Sequence, residues 1–216
     1  MTETLSLRAK IEQSPMGAYQ WMIVVMAAIM NLLDGFDVLA LAFTATAIRG
    51  EFGLTGIELG YLLSAGLFGM TAGSLFLAPL ADKIGRRPLL LMAVSLSAIG
   101  MLGSAFISQY QWLGFWRIIT GLGVGGILVG TNVITSEYSS RKWRSFAISV
   151  YAAGFGIGAV LGGMFAVMLQ GEYGWRSVFL AGAILTGLLL VVLFIWLPES
   201  IDFLTSKQPK NAEVRL

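Results

Sequence analysis

Three ionisable side chains sit inside long apolar stretches of this 216-residue chain: Asp34, Asp37 and Arg117. Each would cost roughly 2.5–3.5 kcal/mol at the centre of a membrane helix, so keeping three points to a task. Asp34 and Asp37 are spaced i, i+3 and share one face of any helix that carries them. Two carboxylates on one face resist ionising together, and a neighbouring guanidinium pulls the other way. That is proton-exchange chemistry, and it makes Asp34 and Asp37 the proton-coupling candidates. Arg117 is the one cation within the stretches, and its planar fork suits a ligand carboxylate. Asn31, Tyr61 and Tyr151, polar groups in the same stretches, join it as substrate-binding candidates.

Other chemistry is excluded by composition. The chain has no histidine and no cysteine, which removes disulfides, thiol nucleophiles and imidazole acid–base or metal work. Two carboxylates facing an arginine make a poor metal site. No metal, no cofactor and no enzymatic activity are expected. The net charge of +2 does not point to nucleic acid, because the basic residues flank apolar segments.

The elements that must position these groups are membrane helices. The chain is 56% hydrophobic and 12% charged, with mean hydropathy +0.79, more apolar surface than a soluble domain of this size can hide. Six apolar segments, at about 19–48, 57–81, 88–108, 111–135, 145–169 and 177–198, each reach the ~20 residues that cross hydrocarbon as a helix. They predict an all-α membrane protein with a tail over 1–18, a bundle over 19–198 and the start of a polar loop over 199–216. Arg8, Lys10, Lys83, Arg86, Arg87, Arg141, Lys142, Arg144, Lys207, Lys210 and Arg215 fall on one side, against Arg49 and Arg176 on the other. This asymmetry places both termini in the cytoplasm. The tail has no short apolar core with a cleavage site, so it does not read as a signal peptide.

Depth can be counted at 1.5 Å per residue. Asp34 stands about 22 Å up the first helix from Tyr19, and Arg117 about 21 Å above the inner face of a ~30 Å core. Asp34, or Asp37 one turn along, is therefore expected beside Arg117 across helices 1 and 4, facing a wet cavity. Gly154, Gly158 and Gly162 on the fifth helix, and Gly121 and Gly125 on the fourth, form small-residue stripes that let backbones approach closely.

Between the charge-free runs Leu59 to Ala81 and Pro88 to Trp116 lie Asp82, Lys83, Arg86 and Arg87. Gly85 allows a tight reversal, and Pro88 suits the first turn of a helix. Asp82 and Glu137 are the acids near this loop and the next, so Asp82–Arg144 and Glu137–Arg86 or Arg87 are expected as pairs of an ionic latch.

In combination these residues resemble the major facilitator superfamily. Ala78-Pro-Leu-Ala-Asp82-Lys-Ile-Gly85-Arg86-Arg87 is similar to its loop between helices 2 and 3, with alanine at the first glycine position and no later basic residue. Trp116-Arg117-Ile-Ile-Thr-Gly121-Leu-Gly123-Val-Gly125 is similar to its helix 4 motif. Leu197-Pro198-Glu199-Ser200 with Phe203-Leu204 is similar to the motif that closes helix 6 and adds Glu199 to the gate. Leu33-Asp34-Gly35-Phe36-Asp37 resembles helix 1 of the aromatic acid:proton symporter branch. The fifth helix lacks the proline of the antiporter motif, which favours uptake.

The resemblance implies two three-helix inverted repeats, helices 1–3 and 4–6, half of a twelve-helix fold. It implies a multi-pass protein of the bacterial inner membrane that takes up a small, aromatic organic acid with protons by alternating access. The cytoplasmic gate would comprise Asp82, Gly85, Arg86, Arg87, Glu137, Arg144 and Glu199. The chain reads as an N-terminal half (a fragment, a truncated product or a deliberately made piece) whose glycine-lined face would meet the missing C-terminal half. The alternative is a self-contained six-helix protein working as a homodimeric carrier or channel.

Overall fold

A computed structural model describes residues 15–207. Arg8, Lys10, Lys210 and Arg215 lie outside the described residues, as does the side chain of Lys207. The helices are α1 (Ala18–Phe52), α2 (Gly56–Ile84), α3 (Arg86–Ala105), α4 (Tyr110–Tyr138), α5 (Arg144–Tyr173), α6 (Trp175–Trp196) and α7 (Ile201–Lys207). The first six are long and apolar enough to cross a membrane, and no strand occurs among the described residues. The six expected spans are present with ends shifted by a few residues. The stretch after Pro198, expected as loop, instead turns into α7.

Local sequence sets the helix ends. Thr55 and Glu58 form a reciprocal cap on α2: the Glu58 N–H donates to Thr55 Oγ1 at 3.3 Å and the Thr55 N–H to Glu58 Oε2 at 2.8 Å. At Gly85 (φ +102°) and Gly174 (φ +77°) one helix ends and the next begins with no intervening residue, which needs a left-handed backbone that glycine adopts freely. The two turns repeat one another: Gly85-Arg86-Arg87 joins α2 to α3, and Gly174-Trp175-Arg176 joins α5 to α6.

The packing has the same repeat. The most extensive helix contacts are α2 with α4 and α1 with α5, pairs that exchange when α1–α3 is laid on α4–α6. Glycine makes both contacts. A Cβ on Gly69 or Gly73 of α2 would fall on the carbonyls of Ile118 and Leu122 of α4, and one on Gly121 or Gly125 would fall on those of Gly66 and Met70. On the other side, Gly154 and Gly158 of α5 lie against the carbonyls of Ala28 and Leu32, and Gly35 of α1 against that of Phe155. The glycine stripe was expected to face a second half of the protein. It is instead spent inside this bundle, where backbones in contact gain van der Waals energy that lipid cannot supply.

α1 and α4 form the centre, while α2 and α5 each bury one narrow face. Two apolar clusters stack along the bundle. One, at the Gly85 end, includes Ile23, Met30, Leu90, Ile127, Ile134 and Leu193; the other, toward Glu51, includes Phe36, Leu41, Met101, Leu113 and Phe179. Asp34 and Asp37 stand where the two meet.

Candidate functional site

The central polar layer is built by α1, α3, α4 and α6. Asp34, Asp37 and Arg117 are 2%, 1% and 3% exposed, so all three charges have left solvent. Asp37 Oδ2 accepts from Ser97 Oγ of α3 at 2.6 Å. Arg117 Nη1 donates to the backbone carbonyl of Asp37 at 3.3 Å. Its Nη2 reaches Ser104 Oγ at 3.1 Å, Thr120 Oγ1 at 3.0 Å and Met101 Sδ at 2.9 Å. The Phe179 ring of α6 covers the guanidinium, centroid 4.8 Å from Cζ.

Of the two aspartates expected beside Arg117, Asp37 takes the position, and Asp34, whose counted depth matched Arg117, stands one turn away. The cause is the length of α1. Its 35 residues span ~52 Å, far more than the ~30 Å core, so Tyr19 does not mark the membrane's inner face. The arginine also meets Asp37 through the main chain. Among the described residues Arg117 forms no ion pair with a carboxylate, because Ser97 draws the Asp37 side chain toward α3. Asp37 Oδ1 and Arg117 Nε are left buried without partners, as is Asp34 Oδ2. Unmade bonds on buried charged groups cost roughly 1–3 kcal/mol each or more, so this layer has bonding capacity to offer a ligand, a proton or water.

A cleft of about 30 Å³ between α1, α2 and α4 touches Asp37, Arg117 and Thr120, and is otherwise walled by apolar groups such as Val38, Leu62 and Met70. A water needs ~10–15 Å³ by this kind of measure, so the cleft holds one or two waters. Small-molecule sites run ~300–1,000 Å³. The wet cavity expected beside Arg117 is therefore a narrow slot, and no aromatic acid fits within it.

The remaining candidates separate. Asn31 Nδ2 donates to the Tyr151 carbonyl at 2.8 Å, and Tyr151 Oη is 3.2 Å from Thr131 Oγ1, which links α1, α4 and α5. Tyr61 is 72% exposed on α2, away from this cluster. Among the described residues no group of three or more Asp or Glu could hold a metal ion.

The Gly85 end corrects the expected latch. Asp82 pairs with Arg86 one turn on, at 2.7 Å, in place of Arg144. Arg144 Nε instead donates to the Ser136 carbonyl at 3.2 Å. Glu137 is engaged with Ser200 Oγ (2.9 and 2.8 Å) and the Ile201 N–H (2.9 Å) in place of Arg86 or Arg87. The partner of the basic turn is Glu199: its Oε1 accepts from the backbone N–H of Arg86 at 2.7 Å, of Arg87 at 3.0 Å and of its own neighbour Ser200 at 2.9 Å. The carboxylate thus sits on the positive end of α3, where the N–H groups have no acceptor within the helix. Gly85 is required twice here, for its φ and because a Cβ would stand 2.5 Å from Glu199 Oε2. Tyr138 Oη locks the Glu199 carbonyl at 2.7 Å.

A clamp at the opposite end escaped sequence reasoning. Arg176 grips Glu51 with both Nη atoms at 2.8 and 2.7 Å, Trp175 Nε1 donates to Glu51 Oε2 at 2.6 Å, and Arg176 Nη2 reaches the Ile107 carbonyl at 3.1 Å. The likeness of Gly174-Trp-Arg to Gly85-Arg-Arg was the available signal.

Six helices in two exchanging triplets, around a buried arginine and two aspartates, define a membrane carrier fold. Residues 27–213 match the sequence profile of the Major Facilitator Superfamily, and the chain belongs to that family. It is 36% identical over 204 residues to a gallate transporter of Pseudomonas putida, covering 94% of this chain and 45% of that protein. It is 34% identical over 213 residues to the 4-hydroxybenzoate transporter PcaK of the same organism, covering 99% and 48%. The chain spans about half the length of the curated relatives it matches. Among solved structures, the proton:xylose symporter XylE bound to 6-bromo-6-deoxy-D-glucose superposes with a TM-score of 0.83 at 23% identity, over 93% of this chain and 49% of that one. That likeness establishes the fold.

Proposed function

We propose that this bundle is one half of a proton-coupled secondary transporter that takes up a small aromatic carboxylate by alternating access, with both termini in the cytoplasm of a bacterial inner membrane. The observation that carries the reading is the buried Arg117, which among the described residues makes no ion pair, beside Asp37 and at a slot too small for a substrate. An anion that needs Arg117 must approach from outside the bundle. That geometry suits a cavity shared with a second six-helix bundle, and the doubled length of the curated relatives supports it. Two of those relatives are transporters of gallate and of 4-hydroxybenzoate, both aromatic carboxylates.

In this reading Arg117 attracts the carboxylate, and Asp37, whose Oδ1 is free, exchanges the proton. Asp34, one turn toward Asn31 and Tyr151, is the second proton site. Asn31, Tyr61 and Tyr151 are substrate-side candidates, and Asp82, Gly85, Arg86, Arg87, Glu137, Arg144 and Glu199 form the cytoplasmic gate.

The test is uptake of radiolabelled 4-hydroxybenzoate and gallate by cells expressing the full gene product that carries this chain. A protonophore should abolish accumulation, and Asp37→Asn should abolish it while sparing exchange of labelled for unlabelled substrate. Accumulation that survives both would end the proton-coupled reading. Saturable uptake by chain 1–216 alone in liposomes would favour the homodimer.

A further inference from the structure

An apolar groove of about 690 Å³ runs along the outer surface between α3 and α6, walled by Leu91, Met92, Ile99, Leu190, Val191 and Phe194. Ser95 is its one hydroxyl, and that hydroxyl donates to the Leu91 carbonyl of its own helix at 2.7 Å. One turn before Leu91, toward the Gly85 end, stands Arg87, whose Nη2 donates to the carbonyl of the wall residue Phe194 at 2.7 Å.

Arg87 has a counterpart in the repeat. Arg87 and Arg176 each stand two residues after a positive-φ glycine that joins two helices. Each donates Nη2 to a carbonyl at or just past the far end of the facing helix, Phe194 in the last turn of α6 for Arg87 and Ile107, two residues beyond α3, for Arg176. Arg176 in addition grips the Glu51 carboxylate with both Nη atoms. Among the described residues Arg87 has no such partner. Glu137, the counterpart of Glu51 at the end of α4, is committed to Ser200 and Ile201; Glu199 is committed to backbone N–H groups; Asp82 is committed to Arg86. Among the described residues Arg87 Nε has no hydrogen-bond partner.

We infer that Arg87 and the α3–α6 groove together bind an anionic phospholipid, with its phosphate on the guanidinium and one acyl chain along the groove. The guanidinium fork fits a phosphate as it fits a carboxylate. From Arg87 to Ile99 α3 rises ~18 Å, a path an extended acyl chain can follow, and each buried CH₂ adds to affinity. Charge at one end and an apolar trough leading away from it match a lipid and no free anion.

The experiment uses the full gene product in mild detergent, mixed with equal amounts of phosphatidylglycerol and phosphatidylcholine of matched chains. Native mass spectrometry then counts lipid on the folded, monodisperse protein. Phosphatidylglycerol should be retained over phosphatidylcholine by about fivefold, the factor one basic residue supplies near an anionic lipid. Arg87→Gln should bring the ratio to about one, since its backbone N–H still serves Glu199. Ser95→Trp, which fills the groove, should lower retention of both lipids. Equal retention by the native protein, or a ratio unmoved by Arg87→Gln, overturns the proposal, as does displacement of the lipid by glycerol phosphate alone. Should Arg87→Gln give no folded protein, Ser95→Trp decides: undiminished retention there overturns the site.

Discussion

Removing the Glu199 carboxylate should unfasten α3 from the end of α6. Glu199→Ala deletes the acceptor of three N–H groups at once, two of them at the first turn of α3. That turn is half-buried, so water replaces part of each bond, and about 1–1.5 kcal/mol is lost per group. The sum is about 3–4.5 kcal/mol. Glu199→Gln keeps a carbonyl for the same donors and loses the charge at the helix end, about 1–2 kcal/mol. At ~2–4 °C per kcal/mol for a chain of this size, the midpoints fall by about 6–18 °C and 2–8 °C. Thermal unfolding in detergent, followed by helical circular dichroism, reads both. Gly85→Ala adds a diagnostic. Its Cβ would meet Glu199 Oε2 and Cδ at 2.5 and 2.8 Å, and its φ of +102° costs an alanine about 1–2 kcal/mol in any background. Only the first penalty disappears when Glu199 is already alanine, so the two substitutions should be less than additive. Unchanged midpoints in both Glu199 variants, or an identical Gly85→Ala cost in both backgrounds, would refute the reasoning.

Two further outcomes follow from packing and charge. Gly158→Ala and Gly69→Ala, whose Cβ atoms would fall on facing carbonyls, should each cost about 1–3 kcal/mol or more, while Gly156→Ala, with open space around it, should be neutral. Yield of monodisperse protein and its unfolding midpoint check this, and equal behaviour of all three would contradict the glycine contacts. Arg176→Gln should cost at most about 1 kcal/mol, because both it and Glu51 are about two-fifths exposed, and the loss should shrink in high salt. A large, salt-independent loss would mean that the clamp holds the fold.

The number of spans, the turn at Gly85 and the close approach of glycine faces were legible in the sequence, because hydropathy, special φ and missing side chains are local properties. What the glycines approach was not. Gly154 and Gly158 touch α1, and only the three-dimensional exchange of helix pairs reveals it. Asp34 and Asp37 were both legible as partners of Arg117, but the depth count pointed to Asp34, because counting along α1 assumes that the helix starts where the core starts. Glu199 was carried as a gate residue, yet its targets are main-chain N–H groups, which counting charges cannot find. Tyr61 illustrates a third limit. On a helix apolar all round, the pattern does not say which side is buried, and the structure turns Tyr61 outward.

The exchange of helix pairs also sets a timetable for synthesis. α1 cannot meet α5 until α2, α3 and α4 have been made, and Arg144 follows Phe52 by 92 residues. At 5–20 residues per second that is a wait of roughly 5–20 s. Throughout it, the helix that carries Asp34 and Asp37 stands in or beside the membrane without the glycine groove that will cover it. α2 waits in the same way for α4. The earliest segments of the chain are thus the last to be satisfied, and the insertion machinery must shelter two aspartates until the partners of α1 emerge.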